Sequence, residues 1–303
     1  MRVWVTGASG FVGSHLREAA ADLEHIHGIE LVYAAKDLDL RESRSVTAAV
    51  GSANFDGVLH LAAQSDVAAS FHSPEETFDI NAVGVVRLLH ALESRRFAGR
   101  FLLVSSGDVY GPVNAVDLPV SESVTPRSAN PYAASKLAAE AAALAWGRRG
   151  LFEVLVARPF NHVGPGQKIS FAVARFASAL AAMRRTSGPI ELTVGRLDVS
   201  RDFLDVRDVI RAYALLLLKG RAGEIYNVCS GTERSMQAVL AALITLSGVE
   251  VTPTISTKLL RPVDVPRMVG TSNKLRAETG WRPTIAFDQT LSDLFDFYVN
   301  GLR

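Results

Sequence analysis

The sequence of 303 residues contains a single cysteine, Cys229. One thiol cannot form a disulfide within the chain, and it excludes a metal site built from several cysteines. The apolar run from Ile225 to Cys229 predicts a buried structural thiol rather than a nucleophile. We therefore expect no metal site.

An excess of charge of either sign is also lacking. The chain has 32 Lys and Arg against 31 Asp and Glu, for a formal net charge of +1. Nucleic-acid and membrane-surface binding leave basic patches, so we expect neither kind of partner. The apolar run Leu215 to Leu218 stops at Lys219, far short of the roughly 20 residues of a membrane span. No signal-peptide segment precedes the first strand, and we expect a cytoplasmic protein.

Short β-rich runs alternate with helical stretches through the first half of the chain. The expected strands are Arg2 to Thr6, Glu30 to Ala34, Gly57 to Ala62, Arg100 to Ser105 and Glu153 to Ala157. The expected helices between them are Val12 to Ala21, Ser43 to Val50, Thr77 to Ser94 and Tyr132 to Trp146. Apolar strands that alternate with helices predict an α/β fold with a doubly wound parallel sheet.

Three glycines, Gly7, Gly10 and Gly13, follow the first expected strand with the spacing GxxGxxG. Such glycines let the backbone turn tightly and approach a pyrophosphate, which then lies on the N-terminus of the next helix. A turn that binds nothing is the alternative, but the position at the first strand–helix junction of a βαβ series argues against it. We predict that Gly7, Gly10, Phe11 and Val12 bind a dinucleotide.

Two later segments are also expected at this cofactor. Asp39, next to Leu40, could offer a carboxylate to an adenine amino group, and small residues after the third strand would let a cofactor lie close. The second group comprises Leu61, Ala62 and Ala63. The second strand ends without an obvious acid for the adenosine ribose, whereas Lys36 could meet a 2′-phosphate despite the adjacent Asp37. This favours NADP(H), with NAD(H) as the alternative.

After Pro159 the alternation of strands and helices breaks down. The chain length fits one large or two interlocked domains. We expect a Rossmann-type dinucleotide domain over 1–160, to which 197–229 returns. A smaller interleaved α/β substrate lobe would comprise 161–196 and 230–303.

Tyr132 and Lys136 lie four residues apart at an expected helix start, where Asn130 suits the N-cap and Pro131 the first position. Residues with this spacing share a helix face. A nearby ammonium favours the phenolate and lowers the phenol pKa from its ordinary value of about 10. The pair could thus exchange a proton near neutral pH. The YxxxK pattern taken alone indicates instead a Tyr and a Lys on the surface of an amphipathic helix.

Ser106 follows the apolar strand at Arg100 and should emerge at the carboxyl edge of the sheet. With the glycine turn and the Tyr132–Lys136 pair, this segment makes the chain resemble the extended short-chain dehydrogenase/reductase family, in its nucleotide-sugar-modifying branch. The closing Thr279-Gly280-Trp281-Arg282-Pro283 is similar to that branch as well. The resemblance covers essentially the whole chain.

The resemblance implies a catalytic set of Ser106, Tyr132 and Lys136. Tyr132 would be the general acid–base at the carbinol or carbonyl oxygen, and Ser106 would hydrogen-bond that oxygen. Lys136 would hold the nicotinamide ribose and lower the tyrosine pKa. Asn81 resembles the family asparagine that supports the catalytic helix or a proton-relay water, and is expected at the cofactor. Tyr110 resembles the tyrosine of the family's VYG segment and is expected to be a wall residue or a secondary substrate contact rather than the acid.

Gly107 and Asp108 bear on the reaction. Nucleotide-sugar 4,6-dehydratases resemble this segment but carry a carboxylate pair, or at least a Glu, between the serine or threonine and the tyrosine. Dehydration needs these extra titrating groups, whereas reduction of a 4-keto group needs only the catalytic set and a cofactor. The shorter Asp108 therefore favours a reductase. Asp108 is expected either to position substrate or to cap the local turn.

The segment Arg158 to Gln167 closely resembles the GDP-4-dehydro-6-deoxy-D-mannose reductases, which form GDP-D-rhamnose. The resemblance implies that the substrate is a GDP-linked 4-keto-6-deoxy sugar reduced with NAD(P)H. It places at that substrate Ser106, Asp108, Asn161, Lys168, Arg201, Arg261 and Asp264. A salt bridge to Asp202 or Asp205 is the alternative role for Arg201, and loop packing is expected for His162.

Two other functions stay open at this point. One is a nucleotide-sugar 4,6-dehydratase or epimerase with recycled NAD, and the other is a non-catalytic dinucleotide-sensing protein. The resemblance also implies a homodimer built on the helices Thr77 to Ser94 and Tyr132 to Trp146.

Overall fold

The computed structural model describes residues 1–185, 191–259 and 265–301. Within these ranges the strands are, in chain order, β1 Arg2–Thr6, β2 Glu30–Tyr33, β3 Gly57–His60, β4 Arg100–Val104, β5 Glu153–Pro159, β6 Asn161–Val163, β7 Leu192–Val194, β8 Ser200–Asp205, β9 Ile225–Val228, β10 Glu233–Ser235, β11 Pro253–Ile255 and β12 Arg267–Met268.

Helices connect most of these strands. In chain order they are α1 Phe11–Glu18, α2 Ala20–His27, α3 Ser43–Ser52, α4 Val67–His72, α5 Pro74–Phe78, α6 Gly84–Ser94, α7 Pro131–Gly147, α8 Ala172–Met183, α9 Val206–Lys219, α10 Met236–Ser247, α11 Asn273–Thr279 and α12 Phe287–Gly301. A π-helical turn, Asp79–Val83, joins α5 to α6, and Gly107–Tyr110 forms a 3₁₀ turn after β4.

The main sheet has six parallel strands in the order β2-β1-β3-β4-β5-β9. From β1 the chain adds β2 on one side of the sheet, and then β3, β4, β5 and β9 on the other. A crevice therefore opens between β1 and β3 at their carboxyl ends. Ligands of doubly wound sheets bind at this position. The predicted α/β fold with a doubly wound parallel sheet is confirmed.

Both faces of this sheet are buried because side chains alternate along each strand. On β1, Val3 and Val5 face a core shared with α1, α2, α9 and α11. Trp4 points to the opposite face, where it stacks on Phe55 with ring centroids 5.3 Å apart and packs with α3, α6 and α7. The two apolar layers hold the strand ends, and hence the crevice, in a fixed position.

A second lobe covers the carboxyl edge. Strand β8 pairs with β6, β10 and β12, and β11 pairs with β7. Helices α8, α10 and α12 supply a separate apolar core, which includes Phe176, Leu240 and Leu294.

The domain division predicted from sequence is refined in two places. Strand β9 and helix α9 return to the main sheet, but β8, expected to return with them, lies in the mixed sheet of the lobe because it pairs with β6 and β10. Helix α11, expected in the lobe, instead packs on the main core through Leu275. With these two changes, we propose the division into a dinucleotide domain and a substrate lobe.

Candidate active site

Helix α7 begins as the sequence predicts. Asn130 Oδ1 accepts a hydrogen bond from the Ala133 amide at 2.8 Å, and Pro131 occupies the first turn. This start places Tyr132 and Lys136 one turn apart, and both are buried, with 9% and 4% of their surfaces exposed. Burial of both polar side chains at a sheet edge is incompatible with the surface-pair alternative.

Ser106 leaves β4 in an extended conformation, and its Oγ accepts a hydrogen bond from the Asp108 amide at 3.1 Å. Its side chain also hydrogen-bonds the Tyr132 phenol, an interaction that favours the phenolate. The structure therefore brings Ser106 and Tyr132 together, as the family resemblance implies.

The protonation state of Tyr132 differs from the expectation. Burial raises the pKa of the Tyr132 phenol above its ordinary value, the Asp108 carboxylate raises it further, and the Ser106 hydrogen bond only partly offsets them. The expectation that Lys136 lowers this pKa is wrong. Removal of the phenol from water disfavours the phenolate more strongly than the neighbouring groups favour it. Tyr132 is a neutral phenol at neutral pH, which makes it a proton donor.

Lys136 lies in a desolvated environment. Burial lowers the pKa of its ammonium to about 8, and the Glu140 carboxylate opposes that shift. Burial, together with the Lys136 charge, lowers the pKa of the neighbouring His60 to about 3, so the imidazole is neutral. Its Nδ1 is 2.8 Å from the hydroxyl of Thr6. His60 is thus a buried, neutral histidine at the end of β3 and does not compete for the proton.

A buried ion pair, not foreseen from the sequence, lies behind Lys136. Glu140 is one turn further along α7, and its carboxylate accepts from Arg158 at 2.9 and 2.6 Å and from the Ser105 hydroxyl. The two charged side chains are only 2% and 3% exposed. The Arg158 guanidinium also lies 4.8 Å from the centroid of the Tyr110 ring. The signal available in the sequence was a lone acid, four residues after Lys136, in an alanine-rich helix.

Asn81 ties the third strand to α7. Its Oδ1 accepts from the Gln64 amide at 2.8 Å, while its Nδ2 donates to the Gln64 carbonyl at 2.9 Å and to Ser135 Oγ at 3.0 Å. The residue lies in the π-helical turn, an insertion that is common at functional sites. Asn81 supports α7, the helix that carries Tyr132 and Lys136, and its contact with cofactor remains a prediction.

The glycine turn has the shape of a pyrophosphate cradle. Gly7 has φ of +72°, and a Cβ there would lie 2.6 Å from the Ala62 amide nitrogen. A Cβ on Gly13 would lie 2.5 Å from the Ala8 backbone, so α1 can approach the strand closely only with glycine. Gly10 caps α1 without any side-chain hydrogen bond, which leaves the first amides of the helix available to an anion.

The remaining cofactor positions differ in their surroundings. Leu61, Ala62 and Ala63 follow β3 against this turn and are partly exposed, whereas Leu40 is buried. The Asp39 carboxylate accepts from Arg41 at 3.0 and 2.8 Å, which lowers its pKa to about 2. Asp39 is therefore a charged acceptor already shared with a guanidinium.

The glycine turn is joined to the predicted substrate loop. The Phe11 ring stacks on His162 with centroids 6.0 Å apart and planes 3° apart. His15 Nε2 lies 2.8 Å from the Pro165 carbonyl. These contacts confirm the loop-packing role expected for His162 and fix the loop beside the start of α1.

The predicted substrate residues lie on the lobe side of the crevice. Asn161 and Lys168 are exposed, and Arg201 is half-buried on β8. The Asp202 carboxylate accepts from the Ser230, Gly231 and Gly270 amides, which explains its complete burial. Arg261 and Asp264 lie outside the described residues.

Cys229 is buried, and burial raises the pKa of its thiol. Residues 1–185, 191–259 and 265–301 contain no cluster of three or more His, Cys, Asp or Glu side chains arranged for a metal. No helix among them is long and apolar enough to cross a membrane.

Comparison with known proteins agrees with this geometry. A family model described as GDP-mannose 4,6 dehydratase matches residues 20–294. The chain belongs to this family. The family is the nucleotide-sugar branch of the extended short-chain dehydrogenases/reductases, so the predicted resemblance is confirmed.

Two relatives and one solved structure are informative. The chain is 42% identical over 302 residues to GDP-6-deoxy-D-mannose reductase of Pseudomonas aeruginosa, covering 100% of this chain and 98% of the relative. It is 31% identical to dTDP-glucose 4,6-dehydratase of Streptomyces niveus, covering 98% and 93%. A solved structure of RMD from Pseudomonas aeruginosa complexed with NADPH has a TM-score of 0.93 and 42% identity, covering 99% of both chains.

Proposed function

We propose that this protein reduces the 4-keto group of GDP-4-dehydro-6-deoxy-D-mannose with NAD(P)H, NADPH being preferred, to give GDP-D-rhamnose (GDP-6-deoxy-D-mannose). The observation that carries the proposal is a buried, neutral Tyr132 hydrogen-bonded to Ser106 at the carboxyl edge of the sheet. The reductase of Pseudomonas aeruginosa, identical at 42% of positions over the full length, supports this substrate. The NADPH complex of the similar structure supports the cofactor.

The side chains perform the protonation half of this reduction. A bound nicotinamide cofactor supplies the hydride that reduces C4. Ser106 orients the keto oxygen, and Tyr132 donates its phenolic proton to that oxygen as negative charge develops on it. A phenol with a raised pKa holds its proton until the oxygen becomes basic, which is what a general acid in reduction requires.

The position after Ser106 separates this site from a dehydratase. A Cβ on Gly107 would lie 3.1 Å from the buried Phe160 ring, so a carboxylate side chain there would require that ring to shift by a few tenths of an ångström. Asp108 remains as the one carboxylate that acts on Tyr132 from this turn. This arrangement supports reduction over dehydration, because elimination of water needs an additional acid–base pair.

The experiment supplies purified protein with GDP-4-keto-6-deoxymannose and either NADPH or NADH. We expect stoichiometric oxidation of cofactor and a GDP-6-deoxyhexose whose C4 configuration is determined by NMR. GDP-mannose in place of the keto sugar serves as the control and should yield no 4-keto product. Turnover without net oxidation of cofactor would support the dehydratase or epimerase alternative. Tight NADPH binding with no turnover of any keto-sugar nucleotide would support the sensor.

Lys136 gives the reaction a predicted pH dependence. Its pKa of about 8 means that the ammonium is lost as pH rises through that value, and with it the charge proposed to hold the nicotinamide ribose. Because kcat/KM reports the ionisation of free enzyme, kcat/KM for NADPH should fall about tenfold per pH unit above pH ~8. In Lys136→Arg this alkaline limb should disappear, since guanidinium stays charged. A wild-type profile flat through this range would contradict the assigned role.

The substrate is proposed to lie against Asp108, Asn161, Lys168 and Arg201, with Arg261 and Asp264 completing the nucleotide site. Permanently charged guanidinium suits diphosphate oxygens, and carboxylates accept from sugar hydroxyls. The exposure of Asn161 and Lys168 on the lobe side of the crevice supports this placement. Action in the cytoplasm and service to polysaccharide biosynthesis also remain predictions.

We also propose a homodimer through the face formed by α5, α6 and α7. Phe78, Val83 and Val86 are exposed there at 36%, 43% and 36%, beside the exposed small residues Ala138 and Ala141 of α7. Small side chains let helices of two copies pack closely. Exposed apolar side chains on neighbouring helices are typical of association sites.

The double substitution Val86→Arg with Ala141→Arg should convert the dimer to a monomer in sedimentation velocity. Ile26→Arg, at a 67% exposed position on α2, is the control and should leave the dimer intact. A monomeric wild-type protein, or a dimer in all variants, would overturn this interface.

A further inference from the structure

Arg17 is fixed at the boundary between the glycine turn and the second strand. Its guanidinium carbon lies 4.0 Å from the centroid of the Tyr33 ring, and its Nε donates to the Ala8 carbonyl at 3.3 Å. Tyr33 is the last residue of β2 and pairs with Val5 of β1. The ring and the carbonyl thus hold the guanidinium plane at the carboxyl ends of these two strands.

The positive charge of Arg17 is not neutralised by a neighbouring acid. Ion pairs within the described ranges involve other cations, and neither Arg17 nor Lys36 takes part in one. Two acids lie close in the sequence to Arg17 and Lys36: Asp39 is held by Arg41 at 2.8 Å, and Glu18 lies 3.2 Å from His15 Nδ1. Asp37, next to Lys36 in the chain, is exposed to solvent.

The end of the second strand is where dinucleotide sheets distinguish their cofactors. An acid there accepts from the 2′-hydroxyl of NAD, whereas an arginine nearby accommodates the 2′-phosphate of NADP. Here the end of β2 presents no free acid from its own strand and a preoriented guanidinium from α1. Guanidinium binds phosphate oxygens through charge-assisted, often bidentate hydrogen bonds. Because Tyr33 and Ala8 already order the side chain, little entropy remains to be lost on binding.

We propose that Arg17 recognises the 2′-phosphate of NADPH and sets the preference for NADPH over NADH, with the exposed Lys36 adding a weaker attraction. The inference rests on the proposed function only in taking a nicotinamide dinucleotide as the cofactor. The sequence favours Lys36 as the 2′-phosphate contact. The structure instead favours Arg17 of α1 as the main contact. Among the described residues, the terminal nitrogens Nη1 and Nη2 of Arg17 donate to no protein acceptor, so their N–H groups can meet the phosphate.

The test uses probes that contain neither nicotinamide nor sugar nucleotide. Binding of 2′,5′-ADP and of 5′-AMP to the full-length protein is measured by isothermal titration calorimetry. In Arg17→Met, which keeps an unbranched stem over Tyr33, the Kd for 2′,5′-ADP should rise about 10- to 100-fold, the usual effect of losing charge-assisted hydrogen bonds. The Kd for 5′-AMP should change by less than about twofold. Arg17→Lys, which keeps the charge but loses the fork, should give an intermediate loss.

The matched control is Arg2→Met, which removes one positive charge from the opposite end of the same strand pair, where Arg2 contacts Glu30. It should leave both affinities unchanged, and thermal unfolding should show that all variants are folded. Equal affinity of the wild type for both probes, or unchanged discrimination in Arg17→Met, would overturn the proposal. So would a larger loss in Lys36→Met than in Arg17→Met. Discrimination by a wild type that does not reduce the keto sugar would overturn the proposed function alone.

Discussion

Replacing Tyr132 by phenylalanine is expected to lower kcat for the keto sugar by about 10²- to 10⁴-fold, the usual contribution of a positioned general acid. The variant keeps the buried ring and loses only the hydroxyl that Ser106 contacts. The Kd for NADPH should therefore change by less than about twofold. Steady-state cofactor oxidation and fluorescence titration of NADPH measure the two effects separately.

Tyr110→Phe is the matched control for this experiment. Tyr110 is also buried, but its hydroxyl donates to Asn227 at 2.7 Å, and burial raises its pKa to about 12. Loss of that hydrogen bond should cost about 1 kcal/mol of stability and leave kcat within about threefold. Full turnover by Tyr132→Phe, or an equal loss of kcat in both variants, would contradict the assignment of Tyr132 as the acid.

Glu140→Ala is expected to lower the free energy of unfolding by about 3–5 kcal/mol, because it leaves the Arg158 charge buried without a partner. Arg158 is 3% exposed, and Glu140 accepts two of its hydrogen bonds. Chemical denaturation measures the loss. The same substitution at Glu153, whose carboxylate is half exposed in its pair with Arg100, should cost less than about 1 kcal/mol. Equal losses at the two positions would show that the buried pair contributes no more than a surface one.

The main sheet was predictable because each of its strands is a short apolar run bounded by turn residues. Arg2–Thr6 has the predicted bounds, since the run ends at the Gly7 turn. The stretch predicted as one helix from Thr77 to Ser94 is instead interrupted by the π-helical turn that carries Asn81. One extra residue in a turn hardly alters the apolar periodicity, so the pattern does not reveal the interruption.

The second lobe was less predictable. Strand β8 pairs with β10 and β12, from parts of the chain about 30 and 70 residues away, and such pairings leave no local signal. The sequence therefore predicts a substrate contact at Arg201 but does not predict the strand Ser200–Asp205 that carries it. Arg158 likewise begins the predicted substrate loop. Its ion pair with Glu140 is not predictable from the sequence, because it depends on side chains of α7 and β5 meeting in the fold.

The residues of the site were predictable from the sequence, but the pKa of Tyr132 was not. Ser106, Tyr132 and Lys136 follow from motif and helix spacing. The direction of the Tyr132 pKa shift does not, because it depends on how completely the phenol is removed from water and on the position of Asp108. Only the folded chain fixes both quantities, and together they make Tyr132 a proton donor.

Isotope transfer tests the central claim, that cofactor hydride reduces C4 of the keto sugar. The enzyme is supplied with GDP-4-keto-6-deoxymannose and NADPH deuterated at the transferred position of the nicotinamide, and the product is analysed by NMR. The account predicts a GDP-6-deoxyhexose with deuterium at C4 and stoichiometric formation of NADP⁺. A product without deuterium at C4, formed with no net oxidation of cofactor, would contradict it.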